Sequence, residues 1–198
     1  MKVYGDIKSG NCYKVKMTLA FLQLPHEWIH VDILAGETKT PEYLSKNNAG
    51  KIPLLELNDG RFLSESNAIV NFLAHASALL PNDAFDLACT QKWQFFEQYS
   101  HEPFIAVARY INKYLGLPEA RRAEYDKLQT GGHKALQVME QQLNHTLFLV
   151  GNSFSTADIS LYAYTHVCHE GGFSLDAYPN IRAWLQRVER LPHYTSME

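Results

Sequence analysis

The fold is decided by residues 47–72, whose sequence is NNAGKIPLLELNDGRFLSESNAIVNF. Two short apolar runs in this stretch are separated by Asn58-Asp59-Gly60. Such a tripeptide indicates a β-hairpin, because a tight turn needs positive φ at its centre. A helical pattern follows the second run. The stretch therefore predicts a loop, two antiparallel strands and a helix, with Ser64 or Ser66 as the residue that caps the helix.

A proline opens the first of these two strands. Pro53 has no N–H to donate to a neighbouring strand, so its position indicates an exposed sheet edge. We predict a cis bond between Ile52 and Pro53, with the backbone N–H and C=O of Ile52 facing outward. An extended peptide ligand would pair with these two groups in the way that an added strand does.

Two polar residues stand where the helix begins. The hydroxyl of Ser66 and the N–H groups at the helix start suit a carboxylate, whereas the side chain of Glu65 suits an ammonium group. Together they are suited to the head group of an amino acid. A hairpin and helix that bind no ligand are the alternative that these residues leave open.

The segments GKIP at residues 50–53 and SESNAI at residues 64–69 resemble the glutathione-binding loop and helix of the glutathione transferase family. The resemblance extends over nearly the whole chain and is strongest in residues 9–72 and 151–159. It implies a thioredoxin-like α/β domain over residues 1–76, a linker over 77–86 and an all-helical domain over 87–198. Glutathione is the implied co-substrate, and Ile52, Pro53, Glu65 and Ser66 are its implied binding residues.

The remaining sequence agrees with this domain order. Upstream, apolar spacing predicts a strand at residues 2–4, a helix that Pro25 stops, a strand at 27–33 and a short helix that begins at Thr40-Pro41. With the hairpin and its helix, the order is β-α-β-α-β-β-α. Downstream, helical patterns cover residues 87–115, with an interruption at Pro103, then residues 118–144 and 180–190.

A capping pattern precedes another predicted helix. Ser155 and Asp158 have the spacing of a capping box, with Asp in place of the usual Glu. The pattern resembles the buried N-capping motif of the transferase helical domain, which implies a role in folding rather than in chemistry.

Three residues near the first helix are candidates to contact the sulfur of glutathione. In serine-type members of the family a hydroxyl at the position of Ser9 donates to the thiolate, and the resemblance gives Asn11 the role of a helper. Cys12 lies in or near the first helical turn, where a thiolate is favoured, and would indicate thiol–disulfide exchange. A Ser-Gly turn without chemistry and a buried cysteine are the competing interpretations. Lys39 resembles a residue that reaches the glycyl carboxylate in related sequences, and a solvated lysine is the alternative.

A hydrogen bond to the sulfur acts on its acidity. A thiol with a pKa of ~8.5 is mostly protonated at neutral pH. One charge-assisted hydrogen bond contributes ~1.5–3 kcal/mol, which lowers the thiol pKa by about one to two units. The family resemblance implies a transferase that activates the glutathione thiol as a thiolate for attack on an electrophilic small molecule. The alternatives are a glutathione-dependent oxidoreductase that uses Cys12 and a non-catalytic binding module.

Composition excludes several other classes of protein. The 198 residues are 46% hydrophobic and carry a net charge of −3, which gives no electrostatic basis for binding nucleic acid. No apolar stretch approaches the roughly 20 residues that cross a bilayer. The three cysteines are scattered and odd in number, and no signal-peptide pattern is present, so we expect a reducing cytoplasm. No residues with convincing metal-ligand spacing occur.

The family resemblance has two further implications. It implies a homodimer, in which the N-terminal domain of one subunit packs against the helical domain of the other, and a role in detoxification. It also implies that the first long helix of the second domain lines the pocket for the electrophile. Sequence alone does not separate pocket from core among its four aromatic residues, which are Tyr99, Phe104, Tyr110 and Tyr114.

Overall fold

The computed structural model describes residues 1–197 and divides them into two compact units. Residues 1–77 and 192–197 form the first unit, and residues 78–191 form the second. The elements of the first unit are β1 (Lys2–Gly5), α1 (Gly10–Phe21), β2 (Glu27–His30), a 3-10 turn (Glu37–Lys39), α2 (Pro41–Lys46), β3 (Leu54–Glu56), β4 (Phe62–Ser64) and α3 (Ser66–Leu73). The predicted β-α-β-α-β-β-α order is confirmed.

The four strands form one mixed sheet with the spatial order β2-β1-β3-β4. The β1–β2 pair is parallel, whereas the β1–β3 and β3–β4 pairs are antiparallel. Helices α1 and α3 pack against this sheet. The core between them consists of fully buried apolar side chains, namely Val3, Val15, Leu19, Leu55, Ile69 and Val70.

The predicted β2 strand is too long at its C-terminal end. The prediction placed its end at residue 33, and the strand ends at His30. The carboxylate of Asp32 accepts hydrogen bonds from the N–H groups of Leu34 and Ala35, at 2.8 and 3.0 Å. An Asx turn therefore replaces strand pairing after Val31.

The predicted hairpin is confirmed, but the predicted helix cap is wrong. Gly60 adopts φ +84° in the turn between β3 and β4. Neither Ser64 nor Ser66 caps α3, because Glu65 occupies the N-cap position and makes no side-chain capping bond. The hydroxyl of Ser66 instead bonds to a residue of α1. In contrast, Thr40 does cap α2.

All described elements of the second unit are helical. They are α4 (Ala84–Phe96), a π-helical turn (Glu97–His101), α5 (Glu102–Arg109), a second π-helical turn (Tyr110–Tyr114), a 3-10 turn (Glu119–Arg121), α6 (Arg122–Leu143), α7 (Thr156–Thr165), a 3-10 turn (Cys168–Gly171) and α8 (Pro179–Glu189). The predicted interruption at Pro103 is confirmed, since the proline follows the first π turn. Helix α4 begins at Ala84, inside the predicted linker, because the Asp83 side chain caps it.

Two consecutive glycines permit close packing on the longest helix. A Cβ at Gly131 would lie 2.1 Å from the ring of Phe104, and a Cβ at Gly132 would lie 2.2 Å from the ring of Phe173. Both distances are far below van der Waals contact, so a larger residue would push these rings away from α6.

The predicted capping box at the start of α7 is present. Asp158 is fully buried and accepts hydrogen bonds from the N–H and hydroxyl of Ser155 at 3.0 and 3.1 Å. Its carboxylate also accepts from the N–H of Leu149 and the indole of Trp184, both at 2.9 Å. One side chain thus connects the start of α7 to a loop and to α8.

Residues 192–197 return to the first unit, whereas the sequence assigned them to the helical domain. The phenol of Tyr13 donates to the carbonyl of Thr195 at 2.8 Å. The ammonium of Lys16 donates to the carbonyls of Ser196 and Met197 at 3.0 and 3.1 Å. The tail is therefore anchored on α1. Within residues 1–197, no helix has both the length and the apolar composition needed to cross a membrane.

Candidate active site

Ser9 is positioned at the start of α1. It is the N-cap residue, and its Oγ accepts a hydrogen bond from the N–H of Cys12 at 3.4 Å. Its own N–H donates to the carbonyl of Asp6 at 3.0 Å. The half-buried hydroxyl therefore lies at the positive end of a helix, where negative charge is stabilised.

Asn11 and Ser66 join the starts of two helices. The hydroxyl of Ser66, the first residue of α3, donates to Oδ1 of Asn11 in α1 at 3.0 Å. Ser66 is buried, with 5% of its surface exposed. The structure thus brings together Asn11 and Ser66, which are separated by 55 positions in the chain.

Cys12 is buried against the first strand. It is fully buried, and its Sγ would lie 2.7 Å from a Cβ at Gly5, so the thiol packs on the backbone of β1. Burial raises the pKa of the Cys12 thiol to about 12, although a hydrogen bond with Ser9 opposes the shift. The positive end of a helix lowers the pKa of a nearby thiol, but here it does not offset the effect of burial. A thiolate at Cys12 is therefore disfavoured at neutral pH.

The loop before β3 is fixed by two side chains that bond to one carbonyl. The phenol of Tyr43 and the amide of Asn47 donate to the carbonyl of Lys51, at 2.7 and 2.8 Å. The Ile52–Pro53 bond is cis, as predicted. Within residues 1–197, neither the N–H nor the C=O of Ile52 forms a hydrogen bond.

Lys39 lies against the same loop. Its ammonium donates to the carbonyl of Gly50 at 3.0 Å. Gly50 has φ +58°, and a Cβ there would lie 2.8 Å from the Lys39 nitrogen. The exposed lysine is thus held next to the segment that contains Ile52 and Pro53.

Glu65 stands at the mouth of α3 in an unusual backbone conformation. Its φ is +69°, a region that residues other than glycine rarely adopt. The side chain is exposed, and no hydrogen bond or ion pair reaches its carboxylate from elsewhere in the part of the chain that the structure describes. An exposed carboxylate next to the start of α3 can accept an ammonium group.

The sequence analysis did not identify one residue that contacts Ser66. Lys14 is fully buried in α1, and its ammonium donates to Oγ of Ser66 at 3.4 Å. A lysine in a helical pattern normally indicates a solvent-facing position. The sequence does contain one indication that Lys14 is buried. Thr18, four residues further along the same helix and thus on the same face, is also fully buried.

The four aromatic residues of the second unit differ in their surroundings. Tyr99 is 82% exposed, and Phe104 packs against Gly131 of α6. Tyr110 and Tyr114 stack with their ring centroids 5.9 Å apart.

Among residues 1–197, no three His, Cys, Asp or Glu side chains are grouped so that they could hold a metal ion.

Comparisons with known proteins cover both units. The family model of the glutathione S-transferase N-terminal domain matches residues 9–76, and that of the C-terminal domain matches residues 84–192. A solved glutathione S-transferase from Pseudomonas fluorescens Pf-5 is 60% identical, with a TM-score of 0.98, and the match covers 99% of this chain and 98% of that one.

Two more distant relatives agree with these matches. A probable glutathione S-transferase, GSTF1, of Oryza sativa subsp. japonica is 28% identical over 97% of this chain and 92% of its own. A maleylacetoacetate isomerase from Methylobacterium extorquens AM1, solved with bound malonate and glutathione, is 25% identical with a TM-score of 0.81, over 96% of this chain and 92% of that one. With both family models matched in chain order, this protein belongs to the glutathione S-transferase family.

Proposed function

We propose that this glutathione transferase holds the thiolate of its co-substrate with the hydroxyl of Ser9, assisted by the amide of Asn11. The observation that supports this assignment is the position of Ser9 at the positive end of α1, two residues from an Asn11 that is tied to the start of α3. A donated hydrogen bond stabilises the thiolate more than the thiol, which lowers the thiol pKa. The sulfur then attacks an electrophilic carbon and forms a carbon–sulfur bond, while a leaving group departs with its bonding electrons or, in an addition, the π bond opens and the product takes up a proton.

The rest of glutathione is assigned to three neighbouring elements. Glu65 receives the α-ammonium of the γ-glutamyl residue, and Ser66 with the first N–H groups of α3 receives its carboxylate. The backbone of Ile52, which lacks hydrogen bonds within residues 1–197, pairs with the cysteinyl residue. Lys39 neutralises the glycyl carboxylate from its position beside Gly50.

The disulfide chemistry of Cys12 is the less favoured alternative. A nucleophilic cysteine needs a thiolate, and burial raises the pKa of the Cys12 thiol to about 12. Its packing on Gly5 also leaves it without access to a disulfide. We therefore assign the sulfur-binding role to Ser9 and Asn11.

Three alanine variants separate these mechanisms. We expect Ser9→Ala to slow conjugation at neutral pH by roughly ten- to hundredfold, because it removes a hydrogen bond worth ~1.5–3 kcal/mol. The pKa of bound glutathione, followed by the ultraviolet absorbance of its thiolate, should rise in parallel. Asn11→Ala tests the helper, and Cys12→Ala should affect conjugation little.

The opposite pattern would assign the chemistry to Cys12. In that case Cys12→Ala abolishes disulfide reduction, and mass spectrometry finds glutathione disulfide-bonded to Cys12 of the wild type. Full conjugation activity in both Ser9→Ala and Asn11→Ala would contradict the serine-type mechanism whatever the behaviour of Cys12.

We also propose that the protein forms a homodimer. Large apolar side chains are exposed on both units, including Phe72 at 47% on the first and Phe95 at 64% and Tyr99 at 82% on the second. Such residues are typical of interfaces between subunits. Light scattering should give twice the 22.6 kDa chain mass for the wild type.

A charged substitution tests where the two copies meet. Phe95→Glu should shift the mass toward that of the monomer, because it places a carboxylate in the apolar contact. Gln137→Glu is the control, because it introduces the same carboxylate at an exposed polar position of α6. A wild type that is monomeric at micromolar concentration contradicts the dimer itself.

The proposed location is the cytoplasm, with detoxification of electrophiles as the proposed role. All three cysteines are free thiols, which is usual in a reducing compartment.

A further inference from the structure

A buried ammonium group forms a hydrogen bond with the hydroxyl of the proposed carboxylate subsite. Lys14 is fully buried, and its Nζ is 3.4 Å from Oγ of Ser66. Transfer of an ammonium group from water to a protein interior is costly unless hydrogen bonds and charges compensate. A lysine at this position is therefore a poor choice for packing alone, since an apolar residue of equal length would fill the same space.

The chemistry of lysine fixes the direction of the hydrogen bonds in this cluster. An ammonium group has three donors and no acceptor, so Ser66 must accept from Lys14. The single hydroxyl proton of Ser66 then points away from Lys14, and it is donated to Oδ1 of Asn11 at 3.0 Å. Lys14 thereby makes the Ser66 hydroxyl a donor toward the site.

We propose that Lys14 is a positioning residue for the γ-glutamyl carboxylate of glutathione, acting through the hydroxyl of Ser66. This inference rests on the proposed function, in which that carboxylate lies at the start of α3. When the carboxylate arrives, the Ser66 proton turns from Oδ1 of Asn11 to the ligand, while the Ser66 oxygen continues to accept from Lys14. The buried positive charge adds to the field of the helix start.

The same arrangement links the two ends of the ligand site. Ser66 has one proton, and Asn11 and the ligand carboxylate are both acceptors for it. Occupation of the carboxylate subsite therefore changes the hydrogen bonding of Asn11, a residue assigned to the sulfur. Lys14 keeps Ser66 oriented as a donor in either state.

The test uses two lysines of one helix. Lys14→Met keeps the length of the side chain but removes its charge and its donors. Lys16→Met is the matched control, because Lys16 is also in α1 but its ammonium bonds to the carbonyls of Ser196 and Met197. Calorimetry measures the affinity of each variant for glutathione and for an analogue in which the γ-glutamyl carboxylate is an amide.

We expect Lys14→Met to weaken glutathione binding by about tenfold or more, the effect of one charge-assisted hydrogen bond. Lys16→Met should bind as the wild type does. The amide analogue should bind wild type and Lys14→Met with similar affinity, a result that general damage to the fold would not produce. The losses in Lys14→Met and Ser66→Ala should be strongly non-additive in the double variant, because both remove the same donor.

The outcomes distinguish this inference from the function on which it rests. If the wild type binds no glutathione, the proposed function fails. Suppose instead that the wild type binds glutathione and that Ser66→Ala weakens this binding. If Lys14→Met then has the affinity of the wild type, or if its loss of binding free energy adds to that of Ser66→Ala, only the role of Lys14 is overturned. Circular dichroism verifies folding, and if Lys14→Met does not fold, Lys14→Gln takes its place with the same expected dependence on the ligand carboxylate.

Discussion

At the scale of single residues, Glu65 combines a strained backbone with an exposed carboxylate that no described residue pairs with. A φ of +69° places its Cβ close to the backbone, which costs an L-residue roughly 1–2 kcal/mol relative to glycine. Strain of this kind persists where the surrounding structure imposes it, and it is concentrated at functional sites. Here the conformation places an exposed carboxylate at the mouth of α3.

Replacement of Glu65 should therefore change stability and binding in opposite directions. We expect Glu65→Gly to raise the free energy of unfolding by about 1 kcal/mol, because glycine adopts positive φ without strain. The same variant should bind glutathione more weakly, because it loses the partner of the ammonium. Denaturant titration and calorimetry measure the two effects.

A second variant separates the two effects at Glu65. Glu65→Gln keeps the strained backbone and removes only the charge, so it should lose affinity without gaining stability. Equal stability of the glycine variant and the wild type would show that the backbone at this position is not strained.

The roles of these residues could be predicted only where they depend on residues that are close in the sequence. Ser9 and Ser66 stand beside helix starts, and a helix start is visible in the sequence as a change in apolar spacing. The role of Lys14 depends on a contact with Ser66, 52 positions away. No local pattern distinguishes that lysine from one that faces solvent. The positive φ of Glu65 is similarly invisible, because glutamate has no preference for it.

At the scale of elements, α7 has a titratable group near each end, the buried carboxyl of Asp158 and the half-buried imidazole of His166. Burial raises the pKa of Asp158, in its first turn, to about 6. His166, the C-cap residue, stacks on Tyr162 with ring centroids 4.8 Å apart. Burial lowers the pKa of His166 to about 4, although a hydrogen bond with the Tyr162 carbonyl opposes the shift.

These two shifts have opposite effects on stability between pH 4 and 6.5. The folded state holds a proton on Asp158 that the unfolded state releases above its ordinary pKa, so this residue stabilises the fold more as pH falls. The unfolded state binds a proton on His166 that the folded state excludes, so this residue destabilises the fold as pH falls. The departure of each pKa from its ordinary value changes the free energy of unfolding by about 3 kcal/mol across this pH range, and the two contributions largely cancel.

Replacement of either residue should make the free energy of unfolding depend on pH in a way that cancels in the wild type. Relative to the wild type, His166→Phe should become more stable by about 3 kcal/mol between pH 7 and pH 4, because it removes only the destabilising contribution. Asp158→Asn should change by a similar amount in the opposite direction, apart from a constant loss of hydrogen bonds. Denaturant titrations at several pH values measure these differences, and parallel curves for the three proteins would contradict the assignment.

Elements with local signals were the ones that the sequence predicted well. The turn around Gly60, the helix start at Thr40-Pro41 and the Ser155 capping box each depend on residues within a few positions of one another, and all three are present. The end of β2 was wrong because Asp32 can form an Asx turn in a segment that alternates like a strand. The predicted start of α4 was too late, because Asp83 was assigned to the linker although it is the N-cap of this helix.

At the scale of the whole molecule, the first unit is built from two distant parts of the chain. The tail at residues 192–197 supplies backbone acceptors for Tyr13 and Lys16. It also contributes Met197, which is 6% exposed. No periodic pattern marks this short segment, so its return to α1 was not predictable, although the order of the two units was.

Removal of the tail should weaken the first unit selectively. A chain that ends at Leu191 should show faster amide hydrogen exchange in α1, because polar groups there lose their acceptors and an apolar contact is lost. Exchange in α6 should change much less. Tyr13→Phe, which removes a single hydrogen bond to the tail, should cost only about 1 kcal/mol. Unchanged protection of α1 in the truncated chain would contradict this role of the tail.

The return of the tail also has a consequence for the order of events during synthesis. Residues 1–77 leave the ribosome before residues 78–191, but the segment that completes their unit is translated only after the whole of 78–191. At about 5–20 residues per second, the interval is several seconds or more. During that time α1 lacks its final partners, so the unit that is translated earlier cannot be completed until the later one has been translated.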